Sequence, residues 1–283
     1  DKRKELIDFI QRFSSNASKA RQATSRKKML EKLTVEDIRP SSRKFPFVNF
    51  KPGRECGKTI LEIESLSKKI DDAGFNDFNL IASKGDKIAF LGDHKTKTLL
   101  FEVLTGAVKP DAGKFRWGET ITLSYFPTEN ASFFENDLNL IDWLRQFTEE
   151  RDENIVRGFL GRMLFAGEES LKKVKVLSGG EKVRCLLSKM MLSNANALIL
   201  DEPTNHLDLE SITALNDALI AFPEVVLFAS HDHTFIQTIA NRIIEFTPHG
   251  IIDRAMTFDE YMENEEIRAL RDRMYGAHER FML

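Results

Sequence analysis

The sequence predicts an α/β fold whose core is a mostly parallel sheet. The runs ALIL at 197–200 and VVLFAS at 225–230 are continuously apolar, which is typical of strands buried on both faces of such a sheet. A third apolar run, DKIAFLG at 86–92, ends in a glycine and leads into LLFEVLTG at 99–106, whose apolar residues have helical spacing. Strands that alternate with helices in this way indicate an α/β architecture.

The first 45 residues are predicted to form a basic helical segment. Apolar side chains recur at helical spacing in residues 2–13, and residues 17–33 are rich in Ala, Lys and Arg. Residues 1–54 hold 15 basic and 6 acidic side chains, whereas the whole chain has 41 basic and 44 acidic ones and a net charge of −3. This imbalance predicts either a polyanionic partner such as nucleic acid or a solvated helix face.

The rest of the chain is predicted to be one domain with a connector and a final helix. Prolines mark residues 46–58 as an extended connector to a domain at 59–257. The opening ILEIESLS of that domain alternates like a strand, and KFRWGETITLSYF at 114–126 predicts one or two strands. Residues from about 130 to 190 are predicted to form a helical subdomain, and the charged segment 258–283 to form a C-terminal helix.

The composition excludes several classes of protein. No run approaches the roughly 18 to 20 apolar residues of a membrane helix, so no membrane partner is expected. The chain opens without the pattern of a secretion signal, and its two cysteines, Cys56 and Cys185, are too few for a disulfide framework. Reduced thiols and a cytoplasmic location are therefore predicted.

A pair of acids follows one of the buried strands. Asp201 and Glu202 come directly after ALIL, at the carboxyl end of a strand, where ligands bind in open α/β sheets. In an ATPase of the phosphate-loop type, the Asp holds Mg²⁺ through its water shell, and the Glu orients or deprotonates the attacking water. The alternative interpretation is a helix-capping pair in an ordinary turn.

A Ser-Gly-Gly turn opens a helix shortly before that strand. Leu177 to Glu181 read LSGGE and are followed by the helix-like KVRCLLSKMML. Gly179 and Gly180 let backbone N–H groups approach an anion, and the helix N-terminus adds the positive end of its dipole. The Ser178 hydroxyl can donate to a phosphate oxygen. A plain helix start would explain the glycines but not their position ahead of an acid-terminated strand.

These motifs resemble those of ABC-type ATPase domains. LSGGE is similar to the signature loop, ALILDE to the Walker B strand, and NHLD to the D-loop of that family, while His231 matches its γ-phosphate-contacting histidine. The resemblance implies a P-loop ABC fold with an antiparallel β subdomain and a helical subdomain, and ATP and Mg²⁺ as cofactors. It assigns catalysis to Glu202 and His231, Mg²⁺ to Asp201, and nucleotide contact to Ser178, Gly179, Gly180, Glu181 and Asp208.

The variant EPTNHLDLESITAL resembles the ABC-F class in particular, and most of all its YbiT-like bacterial branch. Asn205-His206 stand where transporter subunits more often carry two small residues. ABC-F proteins join two ABC domains by a long basic linker of two helices. The resemblance implies that residues 1–45 end such a linker and that the second ABC domain follows. Its partners would be the N-terminal ABC domain of the same protein and the ribosome, whose RNA the linker would contact.

The phosphate loop departs from the family pattern G-x-x-x-x-G-K-[ST]. After Gly92 the chain reads DHKTKTL, so the second glycine is absent and the loop is one residue shorter. Because glycine permits the path by which backbone N–H groups wrap a phosphate, this loop is expected to hold phosphate less well. The residues assigned to nucleotide here are Gly92, Lys95, Thr96, Lys97, Thr98 and Leu99, of which Thr98 is also assigned to Mg²⁺.

Two further positions depart from the family. Ile70 lies where an aromatic ring often stacks on adenine, and Thr128 replaces a glutamine. ABC domains pair head to tail, so the resemblance implies that this signature loop serves a partner's ATP, while the altered phosphate loop heads a weaker second site. The alternatives are the ATPase subunit of a membrane transporter and a non-hydrolysing half that only completes its partner's site.

Overall fold

The computed structural model describes residues 45–149 and 152–276. The predicted linker at 1–45 lies outside these residues except for Phe45, and so do residues 277–283 of the predicted C-terminal helix. Among the described residues, no helix has both the length and the hydrophobicity needed to cross a bilayer.

Nine strands form two sheets in the described part of the chain. In chain order they are β1 (Leu61–Ile70), β2 (Ala73–Ala82), β3 (Lys87–Gly92), β4 (Ala112–Trp117), β5 (Leu123–Phe126), β6 (Ala197–Asp201), β7 (Val225–Ala229), β8 (Arg242–Thr247) and β9 (Gly250–Arg254).

The larger sheet has the order β5-β6-β7-β3-β8-β9, and its neighbouring strands are parallel except for the antiparallel β8–β9 pair. Every residue of β6 and β7 is buried, which explains why both runs are continuously apolar. The smaller sheet, β2-β1-β4, is antiparallel. The predicted α/β class, with a mostly parallel core sheet and an antiparallel β unit, is confirmed. The segment 114–126 contributes one strand to each sheet.

Eight α-helices accompany the sheets in the described residues. They are α1 (His94–Leu104), α2 (Leu140–Arg145), α3 (Glu153–Arg162), α4 (Gly179–Leu192), α5 (Leu209–Ala221), α6 (His233–Ile239), α7 (Phe258–Glu263) and α8 (Glu265–Tyr275). The helices α2 to α4, with short 3-10 turns between them, lie in the segment that is predicted to be helical. The boundaries of the domains themselves stay predictions.

The connector packs along the body of the domain. Val48 and Phe50 are buried in the core, and the Phe47 N–H donates to the Arg162 carbonyl oxygen at 2.7 Å. The Gly53 N–H donates to the Asn194 carbonyl oxygen at 2.8 Å. The connector has no helix or strand, and its apolar side chains anchor it to the body.

The predicted single C-terminal helix is two helices in the described residues. Asn264 ends α7, and its side-chain oxygen accepts from the Ile267 N–H at 3.1 Å, so it also begins α8. The bend lets α8 pack on β8, where Arg271 donates to both carboxylate oxygens of the fully buried Glu245 at 2.8 and 3.0 Å. A continuous helix was the wrong prediction because a strong N-cap residue interrupts the charged stretch.

Candidate functional site

Three adjacent strands bring the predicted residues to one edge of the sheet. The strands β6, β7 and β3 are neighbours and parallel, so their carboxyl ends lie together. Asp201 ends β6, His231 follows β7, and the phosphate loop follows β3. This edge is where open α/β sheets bind ligands, and the side chains from the three loops meet there.

The phosphate loop is a tight turn that enters a helix at once. Gly92 has a φ of +105°, and a Cβ there would lie 2.1 Å from the Phe246 carbonyl oxygen, so this glycine is required by its surroundings. The helix α1 begins at His94, earlier than the predicted Leu99, with Asp93 as its N-cap. The residues that follow Asp93 therefore form the first turn of α1 and not a separate loop.

A carboxylate of the chain itself caps this helix. Oδ2 of Asp93 accepts from the Thr96 N–H at 2.8 Å and from the Thr96 hydroxyl at 3.0 Å. Free N–H groups at a helix start and the positive end of the helix dipole are what bind a phosphate in such a loop. Here Asp93 supplies the negative charge at this helix start, and the weaker phosphate cradle stays a prediction.

The other predicted residues of this loop have different surroundings. Lys95 is exposed, whereas the side chain of Leu99 is buried in the core. Leu99 is also beyond the first turn of α1, where backbone N–H groups are used within the helix. Only the earlier residues of the loop therefore keep groups that a nucleotide could reach.

Lys97 and Thr98 contact the two acids of β6. Nζ of Lys97 lies 3.4 Å from Oε1 of Glu202, and both side chains are almost fully buried. The Thr98 hydroxyl donates to Oδ2 of Asp201 at 2.6 Å. The structure brings these four predicted residues together, and their roles stay predictions.

The Asp201 carboxylate fits a role in holding Mg²⁺. Its burial raises the pKa of its carboxyl group, although hydrogen bonds from Thr98 and Thr128 oppose that shift. Oδ1 is buried without a hydrogen-bond partner among the described residues. Mg²⁺ prefers oxygen ligands, and this site offers two: the unpartnered Oδ1 of Asp201 and the Thr98 hydroxyl.

Glu202 and His231 are held together by the backbone. Glu202 has a φ of +50°, an uncommon conformation for a residue with a side chain. Its Oε2 accepts from the His231 N–H at 3.1 Å, and its Oε1 lies 3.3 Å from Nε2 of His231. The His231 side chain is 72% exposed, so the pair joins a buried carboxylate to an imidazole that faces outward.

The signature loop caps α4 with a hydroxyl and a carboxylate. The Ser178 hydroxyl accepts from the Glu181 N–H, and the Glu181 carboxylate accepts from the Ser178 N–H at 2.8 Å, a reciprocal capping box. Gly180 leaves no room for a side chain, since a Cβ would lie 2.8 Å from the His206 carbonyl oxygen. Ser178 and Gly179 are exposed, so this helix start is open to an external anion.

The D-loop packs against the signature loop. His206 lies beside Gly179, and Asp208 caps α5 by accepting from the Ser211 N–H at 2.7 Å. Thr128 stands across a cleft of about 270 Å³ from these residues and donates to the Asp201 carbonyl oxygen at 3.2 Å. The D-loop and signature loop thus form one surface next to the Walker B acids.

A second hollow lies beside the phosphate loop. It measures about 320 Å³, and its lining includes Ile70, three acids (Asp71, Asp72 and Glu102) and His94, Lys95 and Thr98 from the start of α1. The acids disfavour a polyphosphate, Lys95 opposes that effect, and Ile70 offers no aromatic ring for stacking. This lining is a further departure on the same side of the domain as the altered loop.

Two residues of the site were missed at the level of sequence. Asp93 acts as the N-cap of α1, and His94 places Nδ1 at 4.0 Å from Oε1 of Glu202. An Asp before a helical run is a recognised start signal, so Asp93 could have been found from its residue type. The position of His94 depends on the helix start and could not.

Comparison with known proteins identifies the family of this domain. A family model described as ABC transporter matches residues 75–205, and a second model of the same description matches residues 1–50. The first match spans the phosphate loop, the signature loop and the Walker B acids.

Several relatives resemble most of the chain. It is 56% identical over 277 residues to the uncharacterized ABC transporter ATP-binding protein YkpA of Bacillus subtilis, covering 96% of this chain and 51% of that protein. It is 42% identical over 266 residues to the probable ATP-binding protein YbiT of Escherichia coli O157:H7, covering 93% and 50%. It is 34% identical over 268 residues to ABC transporter F family member 2 of Arabidopsis thaliana, covering 93% and 39%. The chain spans about half the length of the first two relatives and less of the third.

A solved structure supports the fold independently. An ABC transporter in an inward-facing conformation superimposes with a TM-score of 0.62 at 20% identity, covering 75% of this chain and 88% of that one. The relatives, which include a named F family member, support the ABC-F resemblance at a coarse level. The chain therefore contains an ABC ATP-binding domain, a member of a family of domains that hydrolyse ATP.

Proposed function

We propose that this chain is the C-terminal half of an ABC-F ATPase, consisting of the end of the interdomain linker and the second ABC domain. In this proposal the domain pairs head to tail with the N-terminal ABC domain of the same protein. Each ATP then lies between the phosphate loop of one domain and the signature loop of the other. The protein would act on the ribosome as a translation factor in the cytoplasm.

The contrast between the two helix starts carries the two-site part of this proposal. Ser178 and Gly179 are exposed at the start of α4, where an external phosphate could accept hydrogen bonds. The start of α1 already holds the carboxylate of Asp93. The signature loop is therefore assigned to ATP bound by the partner domain, and the phosphate loop to a second, weaker site.

The weaker site keeps its reacting groups. Glu202 is assigned to orient and deprotonate the attacking water, and His231 to contact the γ-phosphate. Thr98 and Asp201 would hold Mg²⁺, which would offset the charge of the phosphates when bound. Because Lys97 contacts Glu202, entry of a nucleotide requires that Lys97 turn from the carboxylate to a phosphate.

The basic segment supports the ribosomal part of the proposal. Residues 1–54 carry 15 basic and 6 acidic side chains on a chain whose net charge is −3. Phosphate contacts of Lys and Arg dominate nucleic-acid affinity and make it dependent on salt. We infer that this segment contacts ribosomal RNA when ATP closes the two domains.

Ribosome sedimentation tests the proposal. The full-length protein, with Glu202 and the matching glutamate of its partner domain changed to Gln, is mixed with ribosomes and ATP and then pelleted. We expect it to pellet with ribosomes, more at low salt than at high salt, and to stay in solution without nucleotide. A trapped protein that never sediments with ribosomes, or that copurifies with a membrane protein instead, would overturn the ribosomal role.

A further inference from the structure

Three metal-binding atoms converge beside the Walker B acids. Oε1 of Glu202 lies 3.3 Å from Nε2 of His231 and 4.0 Å from Nδ1 of His94, and the three ligand atoms all lie within 4.8 Å of one another. They come from the end of β6, the loop after β7 and the start of α1. We propose that His94, Glu202 and His231 form a binding site for a divalent transition-metal ion with the ligand preferences of Zn²⁺.

The separations suit a small ion. Zn²⁺ binds imidazole nitrogen and carboxylate oxygen at about 2.0–2.2 Å, so tetrahedral ligand atoms lie roughly 3.3–3.6 Å apart. The pair formed by Glu202 and His231 already has this separation, at 3.3 Å. His94 needs to approach Glu202 by about half an ångström, and its nitrogen, within 4.8 Å of the His231 nitrogen, must reach the same separation from it. Three protein ligands would leave a fourth position for water.

The carboxylate is oriented before any ion arrives. The His231 N–H donates to Oε2 of Glu202 at 3.1 Å, and the Glu202 N–H donates to the Ala229 carbonyl oxygen at 3.0 Å. These bonds leave Oε1 directed toward the two imidazoles, as hydrogen bonds to a metal ligand commonly do.

His94 has an unused ligand atom. Its Nδ1 is buried and has no hydrogen-bond partner among the described residues. A buried polar atom without a partner calls for an explanation, and a bound cation would provide one. His94 reaches this position because the shortened loop starts α1 early, so the ligand set follows from the altered phosphate loop itself.

The ligand chemistry separates this site from the Mg²⁺ donors. Two imidazoles and one carboxylate suit Zn²⁺ and Co²⁺, whereas Mg²⁺ prefers six oxygen ligands. Thr98 and Asp201 supply oxygen atoms alone. The inference does not depend on the proposed role at the ribosome.

Lys97 is the competing cation. Its Nζ lies 3.4 Å from the same Oε1 of Glu202 that the ion would use. Binding of the ion must therefore displace the ammonium group. Replacing Lys97 by Met removes this competition, so we expect Lys97→Met to bind the ion more tightly than the wild type.

Metal titration tests the site directly. The full-length protein, prepared without a histidine tag and freed of metal by a chelator, is titrated with Zn²⁺ against a chromophoric chelator and with Co²⁺ by its visible absorption. We expect one ion whose affinity falls at least tenfold in His94→Asn. The control is His249→Asn, because His249 is exposed in the β8–β9 turn and should leave binding unchanged. Excess Mg²⁺ should not displace the Zn²⁺.

Two results would overturn the inference. One is a His94→Asn protein that unfolds at the wild-type temperature without metal and still binds Zn²⁺ as tightly as the wild type. The other is a Lys97→Met protein with weaker Zn²⁺ binding than the wild type. Since the two variants should change affinity in opposite directions, the test does not rely on His94→Asn alone. Metal affinity is read without ATP turnover, so failure here leaves the proposed function untouched.

Discussion

The helices α1 and α4 both begin at predicted phosphate-contacting turns but are capped differently. Asp93 places a charged carboxylate on the first turn of α1, with bonds to the N–H and hydroxyl of Thr96. Ser178 caps α4 with a neutral hydroxyl, and the charge of Glu181 at that end is paired with Lys172 at 3.3 Å. At α1 the Asp93 carboxylate accepts from an N–H inside the helix, whereas at α4 the Glu181 carboxylate accepts from the N–H of the capping residue Ser178 and is paired with Lys172.

In the proposed two-site model, this difference would weaken the phosphate site without loss of its lysine and threonine. Lys97 and Thr98 are present, but the loop ahead of them is a turn of helix. A helix start binds an anion through free N–H groups and its dipole, and one carboxylate can satisfy both. Motif residues alone therefore do not establish that a loop holds phosphate.

The largest expected effect comes from charging the signature loop. Asp is as good an N-cap as Ser, so Ser178→Asp should keep α4 intact while placing a carboxylate against the partner's ATP. We expect ATP turnover by the full-length protein to fall at least a hundredfold, which corresponds to about 2.7 kcal/mol. Turnover is measured by steady-state phosphate release.

The matched control for that variant is Thr257→Asp. Thr257 begins α7 with the same kind of capping box, formed with Glu260, and is not part of the described site. The Thr257 hydroxyl donates to Oε2 of Glu260 at 2.9 Å, so the variant should unfold at a lower temperature than the wild type but hydrolyse ATP at the wild-type rate. If Ser178→Asp is folded and retains full turnover, the signature loop does not contact nucleotide.

A smaller effect is expected from neutralising the cap of α1. Asn caps a helix as well as Asp does, so Asp93→Asn should keep the helix start while removing its negative charge. A charge at a helix terminus contributes about 1 kcal/mol, so we expect the weaker nucleotide site to bind about fivefold more tightly. A fluorescent ATP analogue measures this, with Asp152→Asn at the start of α3 as the control. Unchanged binding would mean that Asp93 does not compete with phosphate.

The smallest expected effect concerns stability at the Walker B strand. Burial raises the pKa of Asp201 above its unfolded value, so the folded state binds more protons and stability falls as pH rises between the two pKa values. Asp201→Asn should therefore raise the melting temperature at pH 7 by about 2 to 4 °C. The gain should vanish below both pKa values, and a variant that melts at the wild-type temperature at pH 7 would contradict this.

The strands and the acids could be predicted because their signals are local. ALIL and VVLFAS are buried on both faces in the sheet, and the acids that follow ALIL meet Lys97 and Thr98 as the motif order indicates. The continuous apolar run of a strand buried on both faces and the fixed place of its carboxyl end carry this information.

The packing of the connector, the start of α1 and the break in the last helix could not be predicted from local patterns. Val48 and Phe50 are buried only because the body of the domain offers them a surface, so proline content alone suggests a freer connector. The early start of α1 decides where His94 lies, and the cap at Asn264 divides the last helix. Small shifts in where a helix begins therefore determine which side chains enter the site.

The number of tight nucleotide sites tests the two-site model most directly. The full-length protein, with both catalytic glutamates changed to Gln to prevent turnover, is titrated with Mg·ATP by equilibrium dialysis. We expect one tight site and a second that binds at least tenfold more weakly and becomes tighter in Asp93→Asn. Two sites of equal affinity, unaffected by Asp93→Asn, would contradict the model.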